Sequence, residues 1–140
     1  MSQRPATLLG FDHGEKKIGI AVGQGVTGTA SPLLVLPVRQ RRPDWSAISK
    51  LIETWEPDAL VVGLPLDRDG SEQPASRAAR LFRDQLAGRF GIPVHMIDER
   101  YSTLEARQRL SERGTPLAED DAVAAQIILE SWLQEKATGC

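Results

Sequence analysis

The spacing of apolar residues changes period part-way along the chain, and this change limits the possible folds more than any other feature. Up to residue 38 the apolar residues alternate or form short runs, the mark of strands: 7–11, ending at Asp12, then 17–22, then 33–38. Asp12-His13-Gly14-Glu15-Lys16 lies between the first two and reads as a hairpin turn, with Gly14 free to take a positive φ. Beyond residue 38 the spacing becomes helical. Trp45, Ile48, Ile52 and Trp55 recur on one stripe, with Pro43 near the start and Pro57 past the end. The continuous run Ala59-Leu60-Val61-Val62-Gly63-Leu64 is typical of a buried parallel strand. A helix over 76–90 aligns Ala78, Phe82, Leu86 and Phe90, with Arg77, Arg80 and Asp84 on the other side. A second buried strand is expected over 93–97. A helix over 102–113 opens on the capping box Ser102-Thr103-Leu104-Glu105. The last helix, 121–136, presents Ala124, Ile127, Ile128, Trp132 and Leu133.

A three-strand antiparallel meander followed by strand–helix–strand–helix specifies an α/β fold. The expectation is a mixed five-stranded sheet, with two parallel strands added to the meander and helices flanking it. The 140 residues fit one domain, 1–140, long enough to bury its own core. The single cysteine, Cys140, excludes an intrachain disulfide and a cysteine zinc site. No run spans a bilayer and no leader pattern opens the chain, so a cytoplasmic protein with no membrane partner is expected. Seventeen basic and nineteen acidic residues give a net charge of −2. That argues against a purely electrostatic nucleic-acid binder, but bound divalent cations add positive charge that this count omits.

Four acids stand where buried elements reach solvent. Asp12 ends the first strand, Asp98 and Glu99 end the last, and Asp121 opens the final helix. Converging carboxylates repel one another, and a divalent cation relieves that repulsion. Oxygen-only ligands suit Mg2+ or Mn2+. Each acid also has a plain explanation. Asp12 serves as a turn residue, Asp121 complements a helix dipole, and Glu99 pairs with Arg100.

Four motifs in order carry a family resemblance. They are Gly10-Phe11-Asp12-His13-Gly14-x-Lys16-Lys17-Ile18-Gly19-Ile20-Ala21-Val22; Val61-Val62-Gly63-Leu64-Pro65-Leu66 with Asp69-Gly70-Ser71; Asp98-Glu99-Arg100-Tyr101-Ser102-Thr103; and Asp121-x-x-Ala124-Ala125-x-Ile127-Ile128-Leu129. Together they resemble the YqgF (RuvX-like) family. The resemblance implies a ribonuclease-H-like fold related to Holliday-junction resolvases. It also implies a metal-dependent nuclease with catalytic Asp12, Glu99 and Asp121, and metal ligands drawn from Asp12, Asp98, Glu99 and Asp121. Glu99 is preferred to Asp98 for its longer arm. The implied function is maturation of the 5′ end of pre-16S ribosomal RNA, with ribosomal precursor particles as partners. The alternative is resolution of branched DNA. The oligomeric state, monomer or homodimer, is open, and a homodimer favours the second. Two positions depart from the family pattern: Gly23-Gln24 replaces a Ser-Asp after the second strand, and Asp120 replaces an apolar residue.

The expected chemistry is phosphodiester hydrolysis by metal-activated water. Lys16, Lys17, Arg68 and Arg100 are candidate backbone binders, since Lys and Arg supply many phosphate contacts. Gly63 and Gly70 allow close approach of a phosphate. Arg39-Gln40-Arg41-Arg42 reads equally well as an RNA contact or a polar connector. His13, beside Asp12, is a turn residue or a proton-transfer group, and His95 lies within a strand. Trp45 and Trp55 read as core residues. Tyr101 is the only tyrosine, so recognition by shape and backbone is expected rather than base stacking. A rival reading is a non-catalytic nucleic-acid module on the same fold. An ATP-binding reading of Gly10-Phe11-Asp12-His13-Gly14 needs a second domain to enclose the nucleotide.

Overall fold

The computed structural model describes residues 6–67, 69–98 and 121–138. Three antiparallel strands open the chain: β1 (Thr7–His13), β2 (Lys17–Gln24) and β3 (Thr29–Pro37). Helix α1 (Trp45–Trp55) leads to β4 (Ala59–Leu64), and α2 (Pro74–Phe90) leads to β5 (Val94–Asp98). The last described element is α3 (Asp121–Thr138). The sheet order is β3-β2-β1-β4-β5, with β4 parallel to both β1 and β5. The expected mixed sheet of five strands is therefore present. The helix expected over 102–113 and its capping box lie outside the described residues.

Alternation along the strands separates two faces. Leu9 and Phe11 of β1, Ile18 and Ile20 of β2, and Leu60 and Val62 of β4 pack with Ile48 of α1 and Phe82 and Leu86 of α2. Leu8, Ala21 and Val61 point the other way and pack with Ala125, Ile128, Leu129 and Leu133 of α3. The sheet thus lies between α1 and α2 on one side and α3 on the other. Within α2 the core residue is Ala79, fully buried, and not Ala78, which is half-buried. Phe82, Leu86 and Phe90 lie on the core face as expected, and only the first member of the stripe differs, Ala79 in place of Ala78.

Two small residues set the depth of α3. A Cβ added at Gly10 would fall 2.7 Å from the Leu129 Cβ, and one at Gly23 would fall 2.8 Å from the Leu129 Cδ2. The helix therefore rests directly on the backbone of β1 and β2. It is buried almost all round: Ala122 and Ala125 lie inside, and Val123 and Ile127 form a separate buried pair, while Ala124 is only half-buried. Buried polar residues on α3 find partners on β3. Gln126 Nε2 donates to the Ala30 carbonyl at 2.8 Å, and the Ala30 N–H donates to Glu130 Oε2 at 3.3 Å. Gln134 Nε2 donates to the Gly28 carbonyl at 3.1 Å. These side chains satisfy backbone groups at the sheet edge that would otherwise be buried unpaired.

Local chemistry fixes the helix ends. Asp44 caps α1 by accepting from the Ala47 N–H at 3.1 Å. Pro74 opens α2, and Gly91 closes it in the left-handed conformation at φ 64°. Trp45 stacks on Phe82 at 5.7 Å, with the Arg89 guanidinium 4.2 Å above its ring. No helix among the described residues is long and apolar enough to cross a membrane.

Candidate functional site

Strands β1, β4 and β5 point the same way, and β3 shares that direction because β2 is antiparallel to both β1 and β3. Four strands therefore end at one rim of the sheet. That rim collects Asp12 and His13, the β1–β2 turn with Lys16 and Lys17, the segment 39–42, the loop 65–73 and Asp98.

Asp12 lies one residue inside the end of β1, because the ladder with β2 continues through Asp12↔Gly19 to His13↔Ile18. Its parity matches Leu8 and Gly10, so it stands on the α3 face. Its partner there is Gly19. Phe11 pairs with Val62 on the other side, so the next step in register sets Gly63 beside Asp12. Neither neighbour on that face has a side chain, so no strand side chain flanks the half-buried carboxylate.

The direction of α3 brings a further acid to this rim. Gly23, paired with Leu8, meets Leu129 and Leu133, while Gly10 meets Leu129 and the Ala125 carbonyl. Moving up β1 thus means moving back along α3, and the helix begins at Asp121 beside the end of β1. The Asp121 side chain lies outside the described residues. So do Glu99, Arg100 and Arg68.

Asp98 ends β5 and is half-buried. It is separated from β1 by the whole of β4, about 10 Å for two strand spacings. Val94 and Met96 of β5 pack on the α1–α2 face, whereas Ile97 packs on the α3 face and His95 stacks on Trp132 of α3 at 4.9 Å. Asp98 therefore belongs to the face opposite Asp12. Among the described residues no group of three or more His, Cys, Asp or Glu gathers to hold a metal.

His13 is a strand residue rather than a turn residue. Its ring lies 4.9 Å from Phe82 on the α2 side of the sheet, facing away from the Asp12 carboxylate. Burial lowers its pKa from the ordinary 6.5, and a backbone hydrogen bond partly opposes this. Gly14 also differs from expectation. It is not among the glycines of positive φ. It is required because a Cβ there would strike the Lys17 carbonyl oxygen at 2.6 Å. Gly70, by contrast, takes φ 89° at the tip of a tight turn.

The loop 65–73 is more ordered than its polar composition suggests. Leu66 and Glu72 form an antiparallel bridge. The Asp67 N–H donates to the Ser71 carbonyl, and Asp69 Oδ1 accepts from the Ser71 N–H and Oγ. Ser76, fully buried, secures both ends: its Oγ donates to the Pro65 carbonyl and accepts from the Gln73 N–H. Sequence reading assigned Ser76 only to the start of a helix. The signal was its place three residues after Gln73, since Gln73 and Ser76 form a reciprocal cap.

Comparison with known proteins gives matches over nearly the whole chain. A family model described as "RuvX: Holliday junction resolvase" matches residues 6–135. A protein of Pectobacterium carotovorum subsp. carotovorum (strain PC1), named "Putative pre-16S rRNA nuclease", is 51% identical over 132 residues, covering 91% of this chain and 95% of its own. One of the same name from Yersinia pestis (strain Pestoides F) is 50% identical over 135 residues, covering 94% and 96%. A solved structure titled "T. thermophilus RuvC in complex with Holliday junction substrate" superimposes with a TM-score of 0.58 at 16% identity, covering 95% of this chain and 96% of that one. At that identity the likeness concerns the fold, which is that of the ribonuclease-H-like resolvases.

Proposed function

The chain belongs to the RuvX family, and from that membership we propose that it is a cytoplasmic nuclease that hydrolyses phosphodiester bonds with a divalent cation. The relatives' names support pre-16S ribosomal RNA as the substrate. One observation carries the site assignment: α3 runs back along β1, so the helix that opens at Asp121 starts beside Asp12.

We assign Asp12 as the central ligand, with Asp121 and one of Asp98 and Glu99 completing the set. Alternation along β5 puts Ile97 on the α3 face and Asp98 on the other, opposite Asp12, which counts against Asp98. Carboxylate oxygens are hard donors and fit Mg2+ or Mn2+. Such an ion supplies Lewis acidity to the attacking water and to the departing oxygen. Gly19 and Gly63 place no strand side chain beside Asp12. Lys16, Lys17, Arg68 and Arg100 hold the flanking phosphates. Water is the nucleophile, so no covalent enzyme intermediate forms. His13, turned to the other face, takes no part in proton transfer at the carboxylates.

The test is Asp12→Asn. Cleavage of a pre-16S RNA 5′ leader with Mn2+ should fall at least about 100-fold, since loss of a ligand or its orienting partner typically costs 10–100-fold or more. The far-UV circular dichroism spectrum should remain that of the folded protein. Undiminished cleavage would remove Asp12 from the mechanism. The family's description favours a second reading, resolution of four-way DNA junctions. Preferential cleavage of an immobile junction over the RNA would select it. Binding of RNA with no cleavage under any metal would instead select the non-catalytic module.

A further inference from the structure

We propose that the turn joining β3 to α1, residues 39–42, is a second phosphate-binding site that holds the nucleic-acid backbone to one side of the cleavage position. The proposal rests on the nuclease reading and extends its substrate contact.

The backbone of this turn is unusual. Arg39 and Arg42 exchange both hydrogen bonds, Arg39 N–H to the Arg42 carbonyl at 3.2 Å and Arg42 N–H to the Arg39 carbonyl at 2.9 Å. The two residues between them are left-handed: Gln40 at φ 53° and Arg41 at φ 62°. Two-residue reversals of this kind normally take Asn-Gly, because in the left-handed region a Cβ crowds the following carbonyl oxygen and only glycine, or asparagine at small cost, adopts it readily. Glycine is absent from this one. A second unfavourable choice is added to the first. Arg39 and Arg42 are directly opposite each other, and like charges in that relation repel. All three arginines are exposed, and among the described residues no carboxylate forms an ion pair with any of them. Asp44, the nearest acid in sequence, caps α1 instead.

A sequence chosen for stability avoids both features. An anion lying between the arginines turns the repulsion into attraction, and the short reversal sets the backbones of Arg39 and Arg42 opposite each other with Arg41 between them in sequence. The base of the turn is firm: Trp45 N–H donates to the Pro43 carbonyl, and the Trp45 ring stacks on Phe82. Strained backbone held by well-packed surroundings is a recurrent feature of ligand sites.

Placement identifies the ligand. The turn follows β3 at the same rim as Asp12, and the Val38 N–H donates to the Lys16 carbonyl at 2.8 Å, linking it to the β1–β2 turn. Lys16, Lys17 and the three arginines thus cluster on the β3 side of the rim, with Glu15 the one acid in the β1–β2 turn. Two strand spacings, about 10 Å, separate β3 from β1. A stacked strand rises about 3.4 Å per nucleotide, so the turn meets phosphates about three nucleotides from the one at Asp12. The shared chemistry is the phosphodiester backbone, of RNA or of DNA.

The experiment replaces Arg39, Arg41 and Arg42 together, once by Ala and once by Lys. Binding is read by fluorescence anisotropy in EDTA across a NaCl series, with a labelled pre-16S RNA leader and a labelled four-way DNA junction as separate probes. The Ala variant should bind at least about tenfold more weakly on one or both probes. Its slope of log affinity against log salt should fall by about two to three, near one per lost phosphate contact. The Lys variant should retain most of the slope, because ammonium groups replace the charge. The probe that loses more affinity identifies the polymer whose backbone reaches the turn. A wild-type slope in the Ala variant, on both probes, overturns the proposal. So does an equal loss in the Lys variant, since that would trace to the fold of the turn. No cleavage enters this measurement, so the fate of the nuclease reading under Asp12→Asn is decided separately.

Discussion

At position 12 an aspartate is paired with a glycine, and at position 13 a histidine is paired with an isoleucine. The adjacent residues have opposite tasks because a strand sends them to opposite faces. Sequence reading ended the strand at Asp12 and left His13 in a turn, since propensity does not reveal that Gly19 and Ile18 extend the ladder. The consequence for His13 is a pH dependence. Packing against Phe82 lowers its proton affinity in the folded state, while the unfolded chain keeps the ordinary value of 6.5. Between the two values the unfolded state binds more protons, so stability rises with pH there. The contribution is complete above 6.5 and is lost as pH falls below it. Urea titrations in EDTA across this range should show a falling midpoint on acidification, and His13→Phe should remove that part of the slope. An identical pH profile in the variant would show that the ring is not desolvated. The preference for Glu99 over Asp98 came from arm length alone; that Asp98 stands on the face opposite Asp12 depends on strand alternation, which residue type does not reveal.

At the scale of elements, the closest contact is α3 on β1 and β2. Its origin is visible in the sequence once the faces are known. Gly10, Gly19, Ala21 and Gly23 all face α3, while Leu9, Phe11, Ile18 and Ile20 face α1 and α2. Gly10→Ala should destabilise the fold by about 1–3 kcal/mol, the usual range for overpacking. The obstruction is the Leu129 Cβ at 2.7 Å with the Ala125 carbonyl behind it, and neither can swing away. A guanidinium denaturation midpoint measures this; an unchanged midpoint would mean that α3 does not sit so deep. The element boundaries most readily read from sequence were those of β4, bounded by Pro57-Asp58 and Pro65, and of α1. The start of β3 was missed because Thr29, Ser31 and Pro32 carry no apolar signal, yet Gln24, Val22 and Ala21 pair with them. The buried Gln126 and Glu130 were also unreadable as core residues. Their partners are backbone atoms of Ala30, about a hundred positions away.

For the whole molecule, the sheet order places the first strand at the centre and collects four strand ends at one rim. The net charge of −2 conceals the local cluster of Lys16, Lys17, Arg39, Arg41 and Arg42 on the β3 side of that rim. Meander, crossovers and motif order were legible in the sequence, whereas the meeting of Asp12 with the start of α3 depended on packing depth. If Asp12 and Asp121 share a cation, its binding energy adds to global stability, by about 2.7 kcal/mol at a hundredfold excess over Kd. Mn2+ should therefore raise the melting temperature of the wild-type protein and leave that of Asp12→Asn unmoved, as differential scanning calorimetry would show. An equal rise in both would place the ion elsewhere. The contact of α3 with all five strands has one more effect. A chain emerging from the ribosome completes the five described strands before this helix exists, so on the proposed assignment a partly synthesised copy has Asp12 without Asp121. On that assignment hydrolytic competence arrives only with α3, and a fragment released before it is inert toward the RNA around it.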